Sequence, residues 1–145
     1  MSKITIGHKF FAKIAFIHEL MTHFDYSQEK QNRLGRTEYT LLNYLMKKNK
    51  AINMKELADF LNVSYSRITH LIDTCLKKGY VTRINSNDDR RVNYAQITET
   101  GINVTNQFKD GVIAKINVVL TNLPDEEQSL LIEALENWKK VLITQ

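Results

Sequence analysis

The period of the apolar residues changes at Gly79, and that change limits the folds open to the chain. From Val63 to Lys78, apolar residues fall at 68, 71, 72, 75 and 76, the i, i+3, i+4, i+7, i+8 spacing of one buried helical face. After Gly79, the runs Tyr80-Val81-Thr82-Arg83-Ile84 and Val92-Asn93-Tyr94-Ala95-Gln96-Ile97 have a period of two, with the polar, charged segment Asn85 to Arg91 between them. The expectation is a helix that stops at a glycine and passes directly into a β-hairpin. Ser64 is placed to cap the helix start, and Gly79 to terminate it.

The opposite face of this helix carries Tyr65, Ser66, Arg67, Thr69, His70, Asp73 and Thr74, where a solvated helix normally shows Glu and Lys. Short hydrogen-bonding side chains of this kind reach base edges and phosphates without filling a groove. An ordinary amphipathic helix has the same buried face, so the flanking sequence decides between the two readings. Upstream, Asn53 followed by Glu56 resembles a capping box with Asn in place of Ser or Thr. The helix behind it buries Met54, Leu57, Ala58 and Leu61, and the turn Asn62-Val63-Ser64 joins it directly to the next helix. Two short helices joined by a tight turn, the second polar outside, make a helix-turn-helix, and the small Ala58 lets the two axes approach closely. With the hairpin added, the unit is a winged helix. Arg90 and Arg91 at the hairpin tip are placed to enter a neighbouring minor groove, where negative potential is strongest. The alternative leaves both as surface charges.

The charge distribution follows the same division. From Lys30 to Tyr94 there are thirteen Lys and Arg against six Asp and Glu, whereas the rest of the chain has seven against ten. A polyanionic partner would meet the middle of the chain, leaving the two ends for another task; a solvated basic surface is the plainer explanation. With 145 residues the chain suits a single domain, residues 1–145, and five glycines with one proline favour a mainly α (α+β) fold. No run is apolar enough to span a membrane and the start lacks a signal-peptide core, so the expected location is cytoplasmic. Cys75 is the only cysteine, which excludes an intrachain disulfide or a multi-cysteine zinc site.

Phe10, Phe11, Ile14, Ile17, Met21 and Phe24 recur at helical spacing near the start. His8, His18 and His23 lie there too, but no pair has the i, i+3 or i, i+4 spacing of two metal ligands on one face, and no metal or cofactor is expected. A second helix runs from near Gly35 to about Lys48, with Tyr39, Leu42, Leu45 and Met46 on one face, and Ala51-Ile52 reads as a short strand that pairs elsewhere. After the hairpin, Thr98-Glu99-Thr100-Gly101 opens a long helix bearing Val104, Phe108, Val112, Ile116, Val119 and Leu120. Pro124-Asp125-Glu126-Glu127 opens the last, bearing Leu130, Leu131, Ala134, Leu135, Trp138, Val141 and Leu142. The winged helix thus covers residues 35–98, and helices within 4–24 and 100–143 hold apolar faces with no assigned cover. Long terminal helices forming an intertwined dimer solve this economically and set two reading helices a helical turn apart.

Met54-Lys55-Glu56-Leu57-Ala58-Asp59-Phe60-Leu61-Asn62-Val63-Ser64, Ile68-Thr69-His70-Leu71-Ile72-Asp73, Lys77-Lys78-Gly79-Tyr80-Val81-Thr82-Arg83, Asp88-Asp89-Arg90-Arg91 and Ile97-Thr98-Glu99-Thr100-Gly101 together resemble the multiple-antibiotic-resistance regulator (MarR) family. The resemblance implies a homodimeric winged-helix repressor or activator that binds double-stranded DNA at a palindromic operator, often its own promoter, and responds to a small phenolic ligand, an oxidant or a metal. By position it implies that Ser64, Tyr65, Ser66, Arg67, Thr69 and His70 meet the major groove. It makes Arg91, beside Arg90, the minor-groove residue of the wing, and Asp89 the carboxylate that orients it. The sequence departs from the family pattern at Gly35, where a Thr or Ser cap is usual, at His70, where Arg is common, and at Cys75, where Leu is usual. Oxidant-sensing members carry their reactive cysteine in the first helix, which has none here, and a cysteine on an apolar face is a core residue of low reactivity.

Three other functions compete. An enzyme would need a constellation such as a phosphate loop, a nucleophile elbow or clustered carboxylates, and none is present in the sequence. A winged helix used only as a protein-interaction module would show apolar residues at positions such as 65, 66, 69 and 70, where only Tyr65 qualifies in part. RNA fits poorly, because the A-form major groove is too narrow for a helix. An effector site is expected in the cleft between the first helix, the second helix and the helix from Thr100, lined by Phe11, His18 and Tyr39.

Overall fold

At Gly79 the backbone turns through φ +73°, a conformation that suits glycine, and the helix before it ends there in a Schellman arrangement. The Gly79 N–H donates to the Leu76 carbonyl at 2.9 Å and the Tyr80 N–H to that of Cys75 at 2.9 Å. The structure, a computed structural model, describes residues 7–15, 18–19, 34–85 and 93–143. In chain order the elements are α1 (residues 7–15), α2 (Arg36–Lys48), β1 (Ile52–Asn53), α3 (Met54–Leu61), α4 (Tyr65–Lys77), β2 (Val81–Asn85), β3 (Asn93–Ile97), α5 (Glu99–Leu120) and α6 (Asp125–Ile143). This is the expected mainly helical winged helix-turn-helix with a small antiparallel sheet.

The chain forms two compact units, residues 1–111 and 112–145, and α5 begins in the first and ends in the second. In the first unit the sheet order is β1-β3-β2. Val81 pairs with Ile97 and Ile84 with Tyr94, while the short β1 pairs Ile52 with Ala95 on the other edge of β3. The strand expected at Ala51-Ile52 therefore sits one residue later. Leu34, Leu41, Leu42, Leu45, Leu57, Ile68, Ile72 and Cys75 are fully or almost fully buried and bring α2, α3 and α4 onto one core. Leu41, absent from the expected α2 face, is buried there, whereas Met46 is only half-buried.

Local chemistry fixes the helix-turn-helix. Asn53 Oδ1 accepts from the Glu56 N–H at 2.7 Å, but the reciprocal half of the expected capping box is missing. The Glu56 carboxylate instead accepts from the Tyr44 hydroxyl at 2.8 Å, tying α3 to α2. Asn62 adopts a left-handed conformation, φ 53°, which ends α3 and turns the chain toward α4 within three residues. Ala58 is buried, and its carbonyl accepts from the Val63 N–H at 3.0 Å within this turn.

The second unit differs in kind. Pro124 precedes α6, and three acids occupy its first turn, as the sequence leads one to expect. Among its described residues none is buried, although α6 carries Leu130, Leu131, Ile132, Leu135 and Val141. No helix among the described residues is long and apolar enough to cross a membrane.

Candidate nucleic-acid interface

The reading-helix candidate α4 presents two unlike faces. Ile68, Ile72 and Cys75 are buried, Leu71 and Leu76 half-buried, and Tyr65, Ser66, Arg67 and His70 exposed. Ser64 caps the helix, its Oγ accepting from the Arg67 N–H at 3.2 Å. Its hydroxyl proton therefore remains available as a donor. Thr69 is bonded in the opposite sense: its hydroxyl donates to the Tyr65 carbonyl at 2.9 Å, which leaves an acceptor facing outward. The two hydroxyls thus offer different hydrogen-bonding characters from one helix face.

Two ion pairs fix the orientation of α4. Arg83 on β2 reaches Asp73 at 2.7 Å, linking the middle of the helix to the first wing strand. At its C-terminal end, Lys78 meets Glu38 of α2 at 2.6 Å. The other Glu38 oxygen accepts from the Gly35 N–H at 2.9 Å, the half of a capping box that the residue at N3 makes; the other half needs an N-cap side chain, which Gly35 lacks. Between the first turn of α2 and the outer face of α4 lies an open cleft of about 460 Å³, with Arg36, Thr37, Arg67, His70, Thr74 and Lys78 in its walls. Sequence patterning assigns Arg67 and His70 to the helix face but has no means of adding Arg36, Thr37 or Lys78, which come from elsewhere in the chain. Asp89, Arg90 and Arg91 lie outside the described residues.

The α5 helix is seated against the turn that follows α4. Thr98 donates its hydroxyl to the Gly79 carbonyl at 2.7 Å and accepts from the Gly101 N–H at 3.1 Å. A Cβ at Gly101 would run into the Tyr80 carbonyl oxygen, so a glycine is required for this close approach. Further along α5, Phe108 stacks on Tyr39 at a centroid distance of 4.5 Å, and burial raises the Tyr39 phenol above its ordinary value. Of the other residues named for an effector site, Phe11 is 73% exposed and His18 is exposed.

Cys75 is completely buried. Burial pushes its thiol up to about 12; the nearby Glu38 carboxylate adds to the rise, and Lys78 opposes it. Lys78, three residues further along the chain, lies one helical turn from the cysteine and is the cation near it. Among the described residues no group of three or more His, Cys, Asp or Glu side chains is arranged to hold a metal ion.

A helix-turn-helix with a polar, exposed second helix and a hairpin behind it defines a winged helix-turn-helix protein. The sequence model of the MarR family matches residues 34–92. The HTH-type transcriptional regulator MhqR of Bacillus subtilis (strain 168) is 31% identical over 103 residues, 71% of this chain and 70% of that one. The crystal structure of the transcriptional regulator BldR from Sulfolobus solfataricus superposes with a TM-score of 0.74 and 26% identity, covering 100% of both chains. Sco3205, a MarR family transcriptional regulator from Streptomyces coelicolor crystallised in complex with DNA, shares the fold with a TM-score of 0.70 and 24% identity, over 98% of this chain and 90% of that one. The chain spans between 53% and 70% of the length of the curated relatives it matches. The chain belongs to the MarR family of transcriptional regulators.

Proposed function

We propose that the protein is a sequence-specific DNA-binding regulator that acts as a homodimer on palindromic operator DNA and represses transcription until a small-molecule effector is bound. In this reading α4 enters the major groove. Ser64, Tyr65, Ser66, Arg67, Thr69 and His70 face the DNA, while Arg91 and Arg90 of the wing, with Asp89 orienting Arg91, reach a minor groove. The observation that carries it is the asymmetry of α4: its inner face is locked in the core by Ile68, Ile72 and Cys75, while its outer face is polar and open. The likeness to Sco3205, crystallised in complex with DNA, supports the same direction.

The homodimer is supported by the second unit, where long helices with apolar faces bury no described residue within one chain. Apolar surface of this extent is costly to leave in water and is the usual mark of an interface. The effector site is assigned to Phe11, His18 and Tyr39, with the Tyr39–Phe108 stack supplying a partly apolar wall. The protein would work in the cytoplasm, where its DNA lies.

Selection of bound fragments from a random pool of duplex DNA tests the reading. The expected outcome is enrichment of an inverted repeat with half-sites about one helical turn apart. Retention of duplex DNA without any enriched sequence would sink the claim of specificity.

A further inference from the structure

Three hydroxyls of the reading helix and its cap differ in where their protons go. Ser64 Oγ takes the proton of the Arg67 N–H at 3.2 Å, so its own remains to be donated. Thr69 and Thr74 are the reverse. Thr69 Oγ1 lies 2.9 Å from the Tyr65 carbonyl, and Thr74 Oγ1 lies 3.0 Å from that of His70. A carbonyl has no proton to offer, so the hydrogen in each bond is the threonine's own, and the hydroxyl is left presenting lone pairs. Thr74 lines the cleft against α2, late in the helix. Thr69 is the fifth residue of α4, in the N-terminal half that a reading helix sends to the base edges. The same bond selects one of the two side-chain rotamers open to a helical threonine, so the acceptor is in place before any partner arrives.

A preset acceptor sorts bases by their groove edge. In the major groove adenine and cytosine present amino groups at N6 and N4, whereas guanine and thymine present carbonyl oxygens at O6 and O4. A lone pair is attracted by the first two and repelled by the last two. We infer that Thr69 is a specificity-determining residue, accepting a hydrogen bond from the exocyclic amino group of one adenine or cytosine in each operator half-site and disfavouring guanine and thymine there. The inference rests on the DNA-binding reading and adds to it the direction of one contact.

The test deletes one amino group at a time. Duplexes carrying the selected operator are made with each adenine replaced in turn by unsubstituted purine, and each cytosine by 2-pyrimidinone. Their affinities are measured for wild type, for Thr69→Ser, which keeps the hydroxyl, and for Thr69→Val and Thr69→Ala, which lack it. Thermal melts establish that each variant is folded. The base-pairing bond lost with the amino group is common to all four proteins, so the comparison between them isolates the contact. At one position of each half-site, the deletion should cost wild type and Thr69→Ser roughly three- to tenfold more affinity than it costs Thr69→Val and Thr69→Ala, the contribution of one neutral hydrogen bond. The effect in the purine arm identifies the base as adenine, and in the pyrimidinone arm as cytosine. Selection from the random pool with Thr69→Val should relax the preference at that position alone. Deletions that cost all four proteins the same at every position, or a Thr69→Val selection that keeps the wild-type preference throughout, would overturn the inference while leaving the DNA-binding reading intact. Failure of wild type to bind any duplex would instead overturn that reading.

Discussion

Lys78 at the end of α4 and Glu38 in the first turn of α2 are forty positions apart in sequence and meet at 2.6 Å. Glu38 is 7% exposed and also caps the Gly35 N–H, so one carboxylate holds the start of α2 and the end of the reading helix together. Glu38→Ala removes both bonds, and the Lys78 side chain, 33% exposed, can take up water in place of the carboxylate. The expected cost is about 1–3 kcal/mol, read as a lower urea midpoint. Glu38→Gln keeps an acceptor for Gly35 and should lose less. An unchanged midpoint for Glu38→Ala would show that the bridge contributes nothing to stability.

Cys75 should behave as a core residue. Its thiol ionises near 9.0 when solvated and near 12 when folded, so its contribution is complete below pH 9. Between about pH 9 and 12 the unfolded chain releases the proton and the native chain retains it, and stability falls by about 1.4 kcal/mol per pH unit. Cys75→Ala should cost about 1 kcal/mol or more at neutral pH as a small cavity, and should remove that alkaline slope. A thiol reagent should label the native protein slowly and the denatured protein fast. Rapid native labelling, with a peroxide-dependent loss of DNA binding that Cys75→Ser prevents, would make the cysteine a sensor.

Gly101→Ala gives a test with an inverted sign. In an ordinary helix interior this change stabilises by about 1 kcal/mol. Here the new Cβ would meet the Tyr80 carbonyl and come within 2.8 Å of Ile97 Cγ1, neither of which can swing aside as the tip of a flexible side chain would. A net loss of about 1–3 kcal/mol is expected from overpacking. A rise in melting temperature would mean that α5 does not press on the turn after α4.

The proposed dimer predicts a two-chain mass in light scattering at micromolar concentration. Leu135 on α6 is 50% exposed in the single chain. Leu135→Glu would place a charge in the apolar interface and should yield a one-chain mass or aggregation, while a wild-type protein that stays a soluble monomer would contradict the assembly.

What is legible in the sequence is what local chemistry determines. Ser64 and Gly79 bracket α4 because an N-cap hydroxyl and a left-handed glycine act within a few residues of themselves, and both do so in the fold. The pairing of β2 with β3 follows from two adjacent runs of period two. Glu38 is different. In sequence it is an acid in the first turn of a helix, the most ordinary of solvated positions, and its burial depends on Lys78 arriving from α4. Glu56 leaves its expected capping role for the same reason, since the Tyr44 hydroxyl on another helix competes for it. The cleft with Arg36 and Thr37 belongs to this second kind of feature: its two walls come from separate helices, and no spacing rule joins them. The Tyr39–Phe108 stack unites α2 with a helix much later in the chain, so its pairing is equally out of reach of periodicity.

The central claim is that α4 reads base sequence, and the most direct measurement of it is a ratio of affinities. Binding of the full chain to its selected inverted repeat and to a scrambled duplex of equal length and composition is measured at one physiological salt concentration. Sequence-specific binding predicts a ratio of about 10³ or more, with Ser66→Ala lowering the ratio while preserving the affinity for the scrambled duplex. Equal affinity for the two duplexes would contradict the account, because it would reduce the exposed face of α4 to a basic surface that holds DNA without reading it.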